Sequence, residues 1–307
     1  MLNTQAQVSR TGLCSGNSQL IENILPSTIC STDIYDKLLN ECHFDNMIHR
    51  SNPVPRAVCI QGIIEDDGSY PLYRHPVDIQ LILHSYTQTV QSIADYLSNY
   101  MNQRFNHALI QHYRTANDNI SSHSDKTLDI IKNSLIVSLS LYQNPSGSIR
   151  TMTLTNKIKS TDVQLVPLPH NSLFVLDLQS NIDYLHAINK DSKQVQSADN
   201  NPRISLTFRS IGTFVNSNKQ LWGQGAIHKT KDELVYTANR FSTMNDIDTV
   251  KAEWSRLKKA FDAENLNGFD WEYYYGNGFD IIDKSSLIES YKRTTVSNEN
   301  DDQDFVT

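Results

Sequence analysis

The chain has no CxxC pair among its four cysteines, Cys14, Cys30, Cys42 and Cys59, and all of them precede residue 60. Such spacing gives neither a zinc signature nor a disulfide framework. No apolar run approaches the roughly 18 residues that a membrane span needs. The opening MLNTQAQVSR lacks the basic and apolar regions of a secretion signal. The expectation is an intracellular protein, cytoplasmic or nuclear and not secreted, with no membrane attachment and no clear protein partner. An excess of basic charge is also missing: 27 Lys and Arg stand against 34 Asp and Glu, a formal net charge of −7. Proteins that neutralise many phosphates carry a basic face, so this balance weighs against nucleic-acid binding without excluding a local patch. No internal repeat is present.

What the chain does have is core material: 38% hydrophobic residues, with 14 Tyr and 10 Phe among 307 residues. That length suits one domain with extensions as well as two domains. Residues 1–18 are polar and are expected to be disordered. Residues 20–39 carry apolar side chains in helical spacing, notably Ile34, Leu38 and Leu39, after a cap at Ser31 or Thr32. Pro53-Val54-Pro55 closes that unit, residues 57–64 read as a β-branched strand, and Asp66-Asp67-Gly68 reads as a turn. A helix is expected over 86–102, with Ile93, Tyr96, Leu97 and Tyr100 on one face. From residue 105 onward the text becomes strand-rich, with segments at 134–142, 163–166, 172–178 and 204–208. Many short strands with turn signals predict a sandwich or barrel. A late helix over 249–263 presents Val250, Trp254, Leu257 and Phe261 on one side, and the final NENDDQD is a solvated tail.

Two places carry the tripeptide His-x-Asp: His43-Phe44-Asp45 and His123-Ser124-Asp125. At a strand end this arrangement points two metal ligands to one side, because residues i and i+2 share a face. A third ligand completes the two-histidine, one-carboxylate set that suits iron(II) with open positions. By itself the tripeptide is a weak signal, since ten histidines and 34 acids produce it by chance. The second instance has company, however: His186 follows in YLHAI, and then comes Arg203-Ile204-Ser205-Leu206-Thr207-Phe208-Arg209. At a period of two, Arg203, Ser205, Thr207 and Arg209 share one face and Ile204, Leu206 and Phe208 the other. Two arginines and two hydroxyls on one face suit a dicarboxylate. A solvated edge strand is the competing reading of this heptad.

The combination FNHALIQHY…HSD…SLFVLDL…YLHAI…RISLTFR resembles the AlkB group of iron(II), 2-oxoglutarate-dependent oxygenases over roughly residues 54–214. The resemblance implies an α+β, mainly β fold, with a double-stranded β-helix (jelly-roll) core, flanking N-terminal helices and a C-terminal helical extension. It implies helices and a substrate lid over 19–104, the oxygenase core over 105–214, an extension over 215–285 packed on that core, and an acidic disordered tail over 286–307. By position, His123, Asp125 and His186 would hold Fe(II), with 2-oxoglutarate and O2 as co-substrates. Arg203 would pair with the distal carboxylate of 2-oxoglutarate and Arg209 would lie near the metal-bound one. Tyr113, Gln111 and Ser205 would complete that co-substrate site. The reaction implied is oxidation of a C–H bond, by hydroxylation or oxidative N-demethylation, with release of succinate and CO2. A catalytically silent binding module is the alternative.

The substrate, a small molecule, an amino-acid residue or a methylated nucleobase, is less legible. Several nucleic-acid-repairing members carry an acid two positions after the metal Asp, where this chain has Thr127. Tyr70, Tyr73 and Thr127 are the expected substrate contacts. Gly223 and Gly225 predict a tight turn near the pocket mouth, His228 is expected to be exposed, and the segment WEYYY is expected to cap the barrel, with lining of a substrate groove as the alternative.

Overall fold

A computed structural model describes residues 6–49, 52–75, 81–190, 200–236 and 247–282. The acidic stretch 286–307 lies outside the described residues. Two sheets face each other. The larger runs in the spatial order Gln7–Leu13, Ser18–Glu22, Ser172–Asp177, Leu135–Tyr142, Arg203–Arg209, His107–Tyr113, Asn52–Gly62 and Asp45–His49, with Leu83–Ser85 pairing parallel to Asn52–Gly62. The smaller has four strands in the order Val163–Leu168, Arg150–Asn156, Tyr184–Ile188 and Ile120–His123. From residue 107 the chain passes back and forth between the sheets, which makes the double-stranded β-helix. Every ladder between the eight strands of this core is antiparallel.

Strand alternation decides what lies on each side of the large sheet. Val137, Leu139 and Leu141, with Ile204, Leu206 and Phe208, point outward into a buried core shared with helices Ile34–Glu41 and Gln88–Met101. The second helix buries Val90, Ile93, Ala94 and Leu97, an i, i+3, i+4, i+7 stripe, and stops at Asn102 in the left-handed region (φ 49°). The opposite face of the sheet turns toward the small sheet. There Ile136, Phe174 and Leu176 meet Leu154, Val166 and Ile188 in a second core, and Arg203, Ser205, Thr207 and Arg209 share that inter-sheet space.

Three expectations for the first sixty residues are corrected. Residues 7–13 are not disordered: they form a hairpin with Ser18–Glu22 that extends the large sheet. Residues 20–39 are not one helix. Leu20 enters the inter-sheet core and Ile21 the outer core, a period of two, and the helix begins only at Ile34. Pro53-Val54-Pro55 does not end a unit but lies inside Asn52–Gly62, beside the bulged edge strand Asp45–His49, where a missing N–H is tolerated.

The C-terminal extension is locked to the core by Arg74, which is fully buried. Its Nε and Nη2 donate to the Asp129 carboxylate (closest approach 2.6 Å), Nη1 donates to the carbonyls of Phe279 (2.8 Å) and Ile281 (3.2 Å), and Nη2 also donates to the Gly225 carbonyl (2.7 Å). Gly225 is required here, since a Cβ would sit 2.5 Å from Asp129 Oδ1 and 2.6 Å from Arg74 Nη2. Gly225 therefore packs against this ion pair and Gly223 against the Gly212 backbone, and neither lines the cavity. His228, expected to be exposed, is buried beside the same turn, its carbonyl accepting from Gly223 N (2.9 Å). Arg74→Ala would strand Asp129 without a cation, at a cost of about 3–5 kcal/mol. A urea-unfolding midpoint unchanged by that substitution would contradict the assignment.

The WEYYY segment caps, as expected. Trp271–Tyr275 is a short helix whose Tyr275 is buried with Leu128, Leu257, Phe261 and Phe279. Among the described residues no helix is long and apolar enough to cross a membrane.

Candidate active site

His123 and His186 meet because their strands pair in register, residue opposite residue, in the small sheet. Their rings lie 4.3 Å apart between centroids. Asp125 follows immediately after the strand ending at His123. Its Oδ1 stands 3.9 Å from His123 Nε2 and 3.8 Å from His186 Nε2, and among the described residues this is the one His/Cys/Asp/Glu group spaced to hold a metal ion. His43 and Asp45, the other His-x-Asp, belong to no such group. His43 packs against His84 at a centroid distance of 5.7 Å.

The protein prepares each donor. His123 Nδ1 lies 2.7 Å from the Ser121 carbonyl, which can only accept, so Nδ1 carries the proton and Nε2 presents its lone pair. Burial, then the neighbouring His186, pushes the His123 imidazole down to about 3, and burial lowers His186 as well. Burial alone would raise the Asp125 carboxyl, but the Arg209 guanidinium and the two imidazoles outweigh it and hold it well below the usual carboxylate range. Two neutral imidazoles and one carboxylate are the protonation states a cation requires. Arg209 binds the other carboxylate oxygen, Oδ2, through Nη2 (2.8 Å) and Nε (3.1 Å), leaving Oδ1 toward the imidazoles. The backbone of Asp125 is gripped twice by Asn181, whose Oδ1 accepts from Asp125 N and whose Nδ2 donates to Asp125 O, both at 2.9 Å.

Across a cavity of about 620 Å³ stands the arginine strand. Arg203 is buried over the ring of Tyr113 (5.1 Å), and its Nε and Nη2 donate to Ser140 Oγ (3.2 and 2.8 Å) and Nη2 to Ser205 Oγ (3.2 Å). Those partners are neutral. The Nη1 atoms of both Arg203 and Arg209 are buried with no hydrogen-bond partner. A buried guanidinium with only hydroxyl partners and an orphaned N–H fits an arriving carboxylate, and a second orphaned donor on the same wall, Arg209 Nη1, fits the other end of a dicarboxylate. Gln111 and Tyr113 line the same wall. With its amide oxygen toward Arg56, Gln111 accepts from Arg56 Nε (2.7 Å) and Nη2 (3.1 Å). The residues present thus fit an iron ion on one wall and 2-oxoglutarate against the other.

The expected substrate contacts fare differently. Tyr73 lines the cavity, but its ring lies under Arg209 (4.4 Å) and its hydroxyl accepts from Lys126 N (3.0 Å), so it supports the site. Tyr70 is displaced from it: Tyr70–Pro71 pairs with Thr213–Val215 in a separate three-stranded sheet, packed on Leu72 and Val215. Thr127 is turned away from the cavity, its N and Oγ1 both donating to the buried carboxylate of Glu264. Sequence reasoning missed Arg56, His107, Asn181 and Phe261. His107 was within reach, since His107, Leu109, Gln111 and Tyr113 alternate on one strand and all line the cavity. Burial, then Arg209, pushes His107 down to about 3, keeping it neutral beside the arginine. Asn181 and Phe261 reach the site through tertiary contact and left no local signal.

A double-stranded β-helix with a His-Asp-His triad facing an Arg-bearing strand defines a class. The chain belongs to the 2OG-Fe(II) oxygenase superfamily, whose pattern matches residues 18–209. That family's cofactor is Fe(II), with 2-oxoglutarate and O2 as co-substrates. The AlkB likeness has a counterpart in the human DNA oxidative demethylase ALKBH2, 30% identical over 124 residues, covering 40% of this chain and 46% of that protein. The chain therefore matches less than half the length of that relative. Among solved structures, OsALKBH1 covers 67% of this chain and 99% of its own, at 15% identity and a TM-score of 0.41. A prolyl hydroxylase from Trichoplax adhaerens, in complex with a hypoxia inducible factor peptide fragment, covers 62% and 82%, at 15% identity and a TM-score of 0.39.

Proposed function

We propose that this protein is an active oxygenase that holds iron(II) with His123, Asp125 and His186 and binds 2-oxoglutarate across Arg203, Ser205, Gln111 and Tyr113. The observation that carries the reading is the pair of orphaned arginine donors facing an intact triad across one cavity. A silent binding module has no need of that pairing. When bound, iron and 2-oxoglutarate together activate O2 to oxidise a substrate C–H bond, with succinate and CO2 as co-products. The chain's own residues do the positioning. Arg209 fixes which oxygen of Asp125 faces the imidazoles, Ser121 fixes the His123 tautomer, and Arg203 offers its free N–H to the distal carboxylate. Tyr73, His107 and the inter-sheet apolar core shield this chamber from bulk water.

The substrate is a small molecule or a small group presented by a larger one, reaching the triad along a wall of Pro53, Val54, Pro55, Leu81 and Phe261. Several of the clustered basic residues that could meet a phosphate backbone already have partners in this chain. Lys157 Nζ donates to the Glu264 carbonyl (2.6 Å), Lys229 Nζ to the Ala226 carbonyl (2.7 Å), Arg256 to the Gly278 carbonyl (2.7 Å), and Lys258 pairs with Asp262 (2.7 Å). The likeness to ALKBH2 favours a second reading, oxidative demethylation of a nucleobase. Incubation with iron(II) and 2-oxoglutarate, followed by O2 and candidate substrates, is expected to yield succinate. Succinate without formaldehyde on metabolites or peptides supports the first reading. Submicromolar binding of a methylated oligonucleotide with stoichiometric formaldehyde establishes the second, and its affinity should then fall steeply with salt.

A further inference from the structure

The segment that carries Asp125 leaves the small sheet at His123 and has no ladder to hold it. Four successive backbone N–H groups, those of Ser124, Asp125, Lys126 and Thr127, instead each donate to a side-chain oxygen. Ser124 N donates to Asn265 Oδ1 (3.0 Å), Asp125 N to Asn181 Oδ1 (2.9 Å), Lys126 N to the Tyr73 hydroxyl (3.0 Å) and Thr127 N to Glu264 Oε1 (2.8 Å). The first and last of these acceptors lie beyond residues 18–209, the stretch that matches the superfamily.

Glu264 and Asn265 sit at the end of the helix Ile247–Ala263 and are themselves fixed. Glu264 Oε1 also accepts from Thr127 Oγ1, Glu264 Oε2 accepts from the Tyr275 hydroxyl (2.8 Å), and the Glu264 carbonyl accepts from Lys157 Nζ (2.6 Å). Asn265 Oδ1 takes a second bond from Lys126 Nζ (3.0 Å), which also donates to the Phe261 carbonyl (2.8 Å). Trp271 Nε1 donates to the Thr127 carbonyl (3.2 Å). Thr127 stands where the resemblance places an acid in several repair-type members. Here a carboxylate from the distant helix meets that position, buried and aimed at the backbone and not at the cavity.

We propose that Glu264 and Asn265 are positioning residues for the metal centre, and that the C-terminal extension is thereby part of the active site and not merely a cap on it. They brace the residues on either side of Asp125, so that its Oδ1 stays at the apex shared by the two imidazoles while Arg209 holds Oδ2. The inference rests on the iron reading above.

Its test uses the full-length metal-free protein with Co(II) alone as the probe, read by its visible absorption. Loss of an outer partner of a metal ligand costs about 10–100-fold in affinity. Asn265→Ala and Glu264→Ala are accordingly expected to raise the Co(II) dissociation constant by about tenfold or more and to alter the shape of the cobalt band. Glu264→Gln keeps the Oε1 acceptor and should restore most of the affinity. Leu257→Ala thins the contact between the helix and the core without touching the segment. It should lower the melting temperature and leave the cobalt band as it was. Wild-type affinity and band in Asn265→Ala and Glu264→Ala overturn the proposal, as does a loss in Leu257→Ala equal to theirs. Should Glu264→Ala fail to fold, Asn265→Ala and Glu264→Gln decide the matter alone. Absence of His186-dependent Co(II) binding in the wild type would sink the iron reading itself, whereas normal wild-type binding with indifferent variants would sink this inference only.

Discussion

His186→Ala is expected to abolish the weak visible absorption of the iron(II)–2-oxoglutarate complex and to stop succinate production. The triad offers three donors within 4.8 Å of one another, and removal of one leaves only two protein ligands. Loss of an outer partner already costs about 10–100-fold in metal affinity, so loss of a ligand must exceed that. His123→Ala and Asp125→Ala should behave alike, with one difference. Asp125→Ala also leaves the buried Arg209 without its counter-ion and should lower stability as well as metal affinity. His43→Ala and Asp45→Ala should do neither, because His43 rests against His84 and contributes to no metal group. Anaerobic iron titration across these variants checks the assignment. Retained binding in His186→Ala, or lost binding in His43→Ala, would show that the wrong constellation has been chosen.

Arg203→Ala should weaken 2-oxoglutarate binding by about two to four orders of magnitude, since a buried carboxylate left without its partner costs roughly 3–5 kcal/mol. Iron affinity should change far less, because Arg203 makes no hydrogen bond to any of the three metal donors. Its hydrogen-bond partners are Ser140 and Ser205, and Nη1 has none. Arg203→Lys should recover only part of the loss: an ammonium can supply the charge but not the planar pair of N–H groups. Titrating the co-substrate against iron-loaded protein separates the two affinities. Unaltered 2-oxoglutarate binding in Arg203→Ala would remove the co-substrate assignment from this strand.

The large sheet was legible because its strands alternate cleanly. Ile204, Leu206 and Phe208 face one core, and Arg203, Ser205, Thr207 and Arg209 face the cavity, as a period of two requires. The late helix was legible for the same kind of reason, with Val250, Leu257 and Phe261 buried at helical spacing. Residues 7–12 were not, because the outer strand of the hairpin leaves its side chains exposed and reads as polar text. Of the expected substrate contacts, Tyr73 lines the cavity whereas Tyr70 and Thr127 do not. Tyr70 and Tyr73 are three residues apart, yet one pairs with Thr213–Val215 while the other lies under Arg209.

The sequence by itself determined the two-faced arginine strand, because that depends on local periodicity: i and i+2 along a strand share a side whatever the rest of the chain does. The resemblance carried by His186 and RISLTFR favoured His123-Ser124-Asp125 over His43-Phe44-Asp45. Tertiary structure decided everything that depends on distant segments meeting. It placed His186 opposite His123, set Arg209 on one oxygen of Asp125, and turned Thr127 from the cavity to Glu264. It also carried Asn265, more than a hundred residues away in the chain, to the backbone N–H beside the metal carboxylate. A buried donor must find an acceptor, but nothing in the local sequence says which distant side chain supplies it.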